Sequence, residues 1–156
     1  MTLLELFERL EAFALGTAIR DSLWLFPVIE AAHLLGLALL GGAVLVLDLR
    51  LLGVGLTQRP VAYVARQLTP WLVGAIAVLV ATGIPLFLSE AVKCFHSEAF
   101  RLKMVALALA LAFTFGVRNP LAKATPLPAR WNRAVAACSL ALWLTVAAAG
   151  RWIGFS

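Results

Sequence analysis

Four long apolar stretches occupy most of this chain. They run over residues 23–47, 68–88, 100–117 and 134–153. A helix needs about 20 mostly apolar residues to cross the hydrocarbon core of a bilayer, and each stretch approaches or exceeds that length. Apolar residues make up 63% of the 156 residues and charged residues 13%, so little sequence remains for a separate soluble domain. The sequence predicts one all-α membrane domain over residues 1–156, folded as a four-transmembrane-helix bundle.

Basic residues are concentrated in two of the connections between these stretches. Residues 48–67 contain three arginines, and residues 118–133 contain four basic side chains and no acid. Cytoplasmic loops of membrane proteins carry an excess of Lys and Arg. We therefore expect both connections in the cytoplasm of a bacterium, with both termini and residues 90–103 on the periplasmic side of the inner membrane. Anionic lipid headgroups account for the basic loops, so no nucleic-acid partner is expected.

The N-terminal segment has the pattern of an amphipathic helix that lies on the membrane surface. It lacks the basic start and apolar core of a cleaved signal peptide. Thr2 and Glu5 form a predicted capping box, and Gly16 is a predicted helix end. One helical face carries the apolar residues Leu3, Phe7, Leu10 and Ala14. We expect this interfacial helix on the outer surface.

Two ionisable residues, Glu30 and His33, interrupt the first apolar stretch. Ionisable groups inside a bilayer are costly and usually face the protein interior, where they mark a pathway or a ligand site. We therefore expect both side chains to face the bundle interior. The sequence contains only one other histidine, His96, in the outer connection. His33 lies on the order of 15 Å of helix inside the outer end, so both imidazoles are predicted to be reachable from the same side.

This arrangement is typical of a site for b-type haem. His33 and His96 are the predicted axial ligands, because imidazole ligation is one way in which proteins hold haem iron. Gly36, one turn from His33, would leave space for the flat ring. Arg101 and Lys103 are predicted partners of the haem propionates, together with Arg20 and Lys93. Glu30 would orient the His33 imidazole or carry protons. The corresponding function is electron transfer near the outer face, between a quinol and an outer acceptor.

Other interpretations of the same residues remain open. His33 could form a hydrogen bond across helices to Thr82, Ser139 or Thr145, with His96 a solvated loop residue. Cys94, His96 and Met104 offer sulfur and imidazole ligands of the kind that copper(I) prefers. In the first case the chain would be a non-catalytic accessory or structural subunit. In the second it would be a copper-handling membrane protein. Small residues at four-residue spacing, such as Ala38 and Gly42, permit close helix packing in the bundle, in a homo-oligomer or in a larger membrane complex.

Three segments resemble a family of small bacterial four-helix membrane proteins of unknown function. They are Leu25–His33, Asp48–Gly53, and Ser89–Lys93 with Phe100 and Lys103. The resemblance implies a four-helix fold over nearly the whole chain. It extends more distantly to copper-resistance-D-like membrane domains and small membrane b-type cytochromes, at the level of the fold alone. Asp48 and Arg50 belong to the family pattern, and we expect this pair to anchor the first helix in the headgroup region.

The charge distribution gives a testable topology. In a cysteine-free background, single cysteines introduced at Thr57 and Thr125 should react with a membrane-impermeant maleimide only after the membrane is permeabilised. Both sites lie in the Arg-rich connections, which the positive-inside rule places in the cytoplasm. Labelling of both sites in intact cells would contradict this orientation.

Overall fold

The computed structural model describes residues 2–124 and 128–153, which are almost entirely helical. The α-helices, in chain order, are α1 (Leu3–Glu11), α2 (Ala14–Asp21), α3 (Leu25–Leu52), α4 (Val61–Ser89), α5 (Ala91–His96), α6 (Glu98–Phe113), α7 (Asn119–Lys123) and α8 (Ala129–Ile153). A π-helical turn, Thr114–Arg118, joins α6 to α7. Thr57 lies in the loop between α3 and α4, whereas Thr125 lies outside the described residues.

Four helical segments are long and apolar enough to cross a membrane, which confirms the predicted fold class. They are Leu25–Leu52, Val61–Ser89, Glu98–Lys123 and Ala129–Ile153. Each extends beyond its apolar stretch, because helix formation continues into the polar flanks. Pro60 is the N-cap of α4, and Pro70 and Pro85 lie inside this helix without ending it.

The N-terminal segment forms two short helices instead of one. The capping box is present: the Glu5 amide donates to Thr2 Oγ1 at 3.3 Å, and the Thr2 amide donates to a Glu5 carboxylate oxygen at 3.0 Å. The prediction that Gly16 ends a helix is wrong, because Gly16 lies within α2. A Cβ at Gly16 would lie 2.5 Å from the carbonyl oxygen of Leu88, so glycine permits the close approach of α2 to α4.

A polar cluster ties these short helices to the connection between α4 and α6. The Glu11 carboxylate accepts hydrogen bonds from Arg20 at 3.1 Å and from the Val92 amide at 2.6 Å. The same Arg20 nitrogen donates to the Ser89 carbonyl at 3.2 Å. We call the end of the bundle that carries α1, α2 and α5 the cap end.

The four long helices form a bundle with one open side. Helix α3 packs along α4 and α8, α6 packs on α8, and α7 contacts α4. Along the described part of the chain, α4 and α6 scarcely touch, although the stacked rings of Phe87 and Phe100, 5.7 Å apart, join their cap ends. Helix α4 has no buried residue between Ala75 and Ser89. The bundle is therefore closed near α7 and open between α4 and α6 in its cap half.

A buried ion pair joins three of the long helices at the closed end. The Arg118 Nε donates to Asp48 Oδ1 at 2.7 Å, and the two side chains are 1% and 0% exposed. Asp48 Oδ2 accepts from the Ser139 hydroxyl on α8 at 2.8 Å. Arg118 Nη2 donates to the Val44 carbonyl on α3 at 2.7 Å. Both charges are therefore compensated and hydrogen-bonded, as burial in an apolar interior requires.

The expected headgroup anchor of Asp48 and Arg50 is wrong. Asp48 lies on the interior stripe of α3, with Leu47 and Leu51, so it turns towards the other helices. Arg50 instead donates to the Arg59 carbonyl at 2.7 Å. Arg118 is the last residue of the π-helical turn, which has an extra residue relative to an α-helical turn, and its side chain is buried. The sequence had placed this side chain in a basic loop.

Substitution of Asp48 by asparagine should destabilise the protein strongly. It leaves the Arg118 charge buried without a counter-ion, which costs about 3–5 kcal/mol in comparable buried pairs. Thermal unfolding in detergent would measure the loss. Arg50→Gln is the matched control and should change stability by less than about 1 kcal/mol. Equal losses in the two variants would support the headgroup anchor and contradict the buried pair.

Candidate functional site

His33 lies on the interior stripe of α3 and is held by α4. The stripe continues through the buried residues Leu40, Val44 and Leu47. The His33 Nδ1 atom lies 2.8 Å from Thr82 Oγ1. This contact confirms one of the hydrogen bonds that the sequence left open. The imidazole is half-buried, because the cap half of the bundle is open beside it.

The hydrogen bonds of Thr82 determine which nitrogen of the His33 ring carries the proton. The Thr82 hydroxyl has one proton, which it donates to the Val78 carbonyl at 2.7 Å. With this proton on the Val78 carbonyl, the Thr82 oxygen accepts from His33, which corresponds to the neutral imidazole protonated at Nδ1. The other ring nitrogen, Nε2, then carries a lone pair.

The lone pair of Nε2 is available to a ligand. Among the described residues, no hydrogen bond involves Nε2, and no buried side-chain nitrogen or oxygen lacks a partner. Nε2 is therefore reachable from outside the chain. An imidazole fixed by a hydrogen bond at one nitrogen and open at the other has the arrangement that metal-ligating histidines show. It can accept a hydrogen bond or bind a metal.

Gly83 makes room for this imidazole and was missed by the sequence reasoning. A Cβ at Gly83 would lie 3.3 Å from His33 Cε1, which is tighter than ordinary contact. The sequence signal was a glycine next to a threonine inside an apolar stretch. It could not identify the histidine as the neighbour, because the register of α3 against α4 is a tertiary property.

Lys103 enters the same half of the bundle from α6. It lies on the stripe of this helix that includes the buried residues Ala106, Ala110 and Thr114, so it faces α8. A Cβ at Gly150 of α8 would lie 3.6 Å from Lys103 Cε and 3.7 Å from Nζ. The ammonium is within electrostatic range of the His33 imidazole. Within the described residues it donates no hydrogen bond and forms no ion pair.

His96 lies at the cap end in different surroundings. It is exposed at the end of α5 and borders an open cleft of about 480 Å³. The other residues that line this cleft are Glu11, Arg20, Ser89, Glu90, Val92 and Lys93. His33 is not among them. The structure therefore places the two histidines at the same end of the bundle but on different surfaces.

Three further expectations need correction. The space expected beside Gly36 is filled by α4: a Cβ there would lie 3.2 Å from Leu79 and Val78. Glu30 is exposed and not interior, because it lies on the outward side of α3, whose half-buried residues at this level are Phe26 and Ile29. Arg101 is also exposed and pairs with Glu98 at 3.7 Å on its own helix, so it points away from the interior.

The proposed copper ligands do not converge. Cys94 is buried, whereas Met104 is exposed on α6 and His96 borders the cleft. Burial raises the pKa of the Cys94 thiol, and the nearby Glu90 carboxylate raises it further. The thiol is therefore protonated at neutral pH. The part of the chain that the structure describes contains no group of three or more His, Cys, Asp or Glu residues that could hold a metal ion.

Comparison with known proteins gives one match. A model of a family of unknown function, DUF6644, matches residues 14–156. The chain belongs to this family. No curated protein and no solved structure matches the chain. The family resemblance drawn from the sequence is thus confirmed at its coarsest level, and the wider likeness to copper-resistance-D-like domains and b-type cytochromes gains no support.

The protonation of this family member's His33 can be measured. In protein labelled with ¹⁵N-histidine, His33 should show a protonated Nδ1 and an unprotonated Nε2 when the imidazole is neutral. Thr82→Val removes the acceptor and should abolish this preference, whereas Thr82→Ser should retain it. A protonated Nε2 in the unsubstituted protein would contradict the assignment.

Proposed function

We propose that this chain is a membrane-embedded b-type haem protein that takes part in electron transfer. The observation that carries the proposal is the fixed His33 imidazole, with Nδ1 bonded to Thr82 and Nε2 open. A haem bound there would supply a one-electron centre. The open side between α4 and α6 offers an apolar ring a route into the cap half from the lipid.

Only some of the residues predicted to hold haem lie where a haem in the open half could contact them. His33 and Lys103 fit, because both reach the open half from opposite sides and Lys103 has a free ammonium for a propionate. Gly36 and Arg101 do not fit, since one packs on α4 and the other points outward. His96 is proposed as the second axial ligand because it is the other histidine of the cap end.

The proposal includes an orientation in the membrane. The four apolar helices are those of a multi-pass membrane protein. Basic residues lie in or beside both connections at the closed end: Arg50, Arg59 and Arg66 around the α3–α4 connection, and Lys123, Arg130 and Arg133 around the α7–α8 connection. The positive-inside rule therefore favours the cytoplasm for that end. The cap end, with His33, would then face the periplasm of a bacterial inner membrane. A quinol dissolved in the bilayer is the proposed electron donor.

A second candidate function is that of a non-catalytic accessory subunit. It is favoured by the separation of the two histidines and by the packed surroundings of Gly36. In that case the His33–Thr82 hydrogen bond would only join α3 to α4. The two functions differ in one property, which is whether the protein holds a chromophore.

Absorbance spectra of protein expressed with sufficient haem test the proposal. We expect coloured protein whose visible bands sharpen on reduction with dithionite. His33→Ala should abolish the spectrum, and Thr82→Val should weaken haem retention about 10–100-fold by removing the partner that orients the ring. Thr145→Val is the control and should leave the spectrum unchanged, because Thr145 is exposed and its hydroxyl donates to the Ala141 carbonyl of its own helix at 2.8 Å.

The same spectra separate the alternatives. Folded, colourless protein would contradict the haem proposal and favour the accessory subunit. A low-spin spectrum that survives His96→Ala would assign the second ligand elsewhere, with Cys94 and Met104 the next residues to substitute.

A further inference from the structure

The Lys103 side chain has an unusual position for a lysine near the end of a membrane-spanning helix. Lysines there usually extend to the interface and keep the ammonium in water. Lys103 follows the inward stripe of α6, and its Cε and Nζ lie against Gly150 of α8. The side chain is half-buried, and its ammonium remains accessible from outside the chain. An ionisable residue turned into the interior of a membrane bundle marks a functional site, with a partner that has to be identified.

The acids near Lys103 are otherwise engaged. Glu11 accepts from Arg20 and from the Val92 amide, and Glu98 pairs with Arg101 on the outer surface of α6. The Cys94 thiol, which lies within electrostatic range, is neutral because burial raises its pKa. Among the described residues, no carboxylate lies within ion-pair distance of the Lys103 ammonium.

The open side of the bundle determines which anions can reach this ammonium. The helices are apolar enough to cross a bilayer, in which the gap between α4 and α6 would open to lipid. Helix α4 has no buried residue between Ala75 and Ser89. The half-buried residues Leu79 and Leu86 lie on the same side of α4 as Thr82, so this side of the helix is mainly apolar. At the top of the gap, the stacked rings of Phe87 and Phe100 join the two helices. A ligand that enters here needs an alkyl chain for the gap and an acidic head for Lys103.

We infer that Lys103 binds the acidic head of a membrane lipid whose alkyl chain lies between α4 and α6. The head is a carboxylate or a phosphate, as in a long-chain fatty acid or an acidic phospholipid. Lys103 lies about 7.5 Å along α6 from Glu98, which is within reach of the headgroup region. The inference rests on the position of Lys103 and does not require haem.

Native mass spectrometry of the full, delipidated chain tests this inference. Titration with oleate should give a complex about tenfold tighter than titration with oleyl alcohol, because only the acid forms a charge-assisted hydrogen bond with the ammonium. Phosphatidylglycerol should likewise bind more tightly than phosphatidylcholine. A preference for oleate alone assigns the site to a fatty acid, and a preference for phosphatidylglycerol alone assigns it to a phospholipid.

Matched variants locate the site. Lys103→Gln should remove the preference for the acidic ligand, whereas Lys103→Arg should keep it. Lys93→Gln is the control, because Lys93 is also basic and at the cap end but is exposed and pairs with Glu90 at 3.9 Å. Equal binding of oleate and oleyl alcohol by the unsubstituted protein would overturn the inference even if Lys103→Gln does not fold.

Spectra recorded on the same samples keep the two proposals distinguishable. If the protein is colourless and its preference for acidic over neutral lipids depends on Lys103, the lipid site is supported and the haem proposal is contradicted. An effect of Lys103→Gln on haem retention, without any preference among the lipids, overturns the lipid site and leaves the haem proposal standing.

Discussion

The buried ion pair between Asp48 and Arg118 is the constraint on which the rest of the structure depends. Two opposite charges in an apolar interior are tolerated only when each is paired and its remaining donors and acceptors are satisfied. Asp48 meets this condition with Arg118 and Ser139, and Arg118 also bonds to the Val44 carbonyl. The pair therefore fixes α3, the third span and α8 in one register at the closed end.

The closed end makes an open cap half possible. With three spans joined near α7, α4 and α6 can lie apart at the other end without loss of the fold. His33 and Lys103 reach this space from α3 and α6, and both carry polar atoms that the described residues leave without a partner. Ionisable residues inside a membrane bundle mark pathways or ligand sites. The structure thus separates a stabilising polar network from a polar site available for binding.

The sequence predicted the four spans and the Thr2 capping box because hydrophobic length and capping are local properties. It also identified His33 and Lys103, since ionisable residues stand out in apolar stretches. It misplaced Arg118, which is buried at the end of a π-helical turn that hydropathy does not reveal. It also could not show that Gly36 packs on α4 while Gly83 makes room for His33, because both depend on the register between helices.

Oxygen accessibility of spin labels along the inner stripe of α4 tests the open cap half most directly. Nitroxides would be placed one at a time at Leu72, Leu79 and Leu86, in ligand-free protein in bilayers. Leu72 is 2% exposed, and the other two are half-buried. We expect collisions with lipid-dissolved oxygen to be rare at position 72 and frequent at positions 79 and 86. Equally low accessibility at all three positions would show a closed bundle and contradict the account.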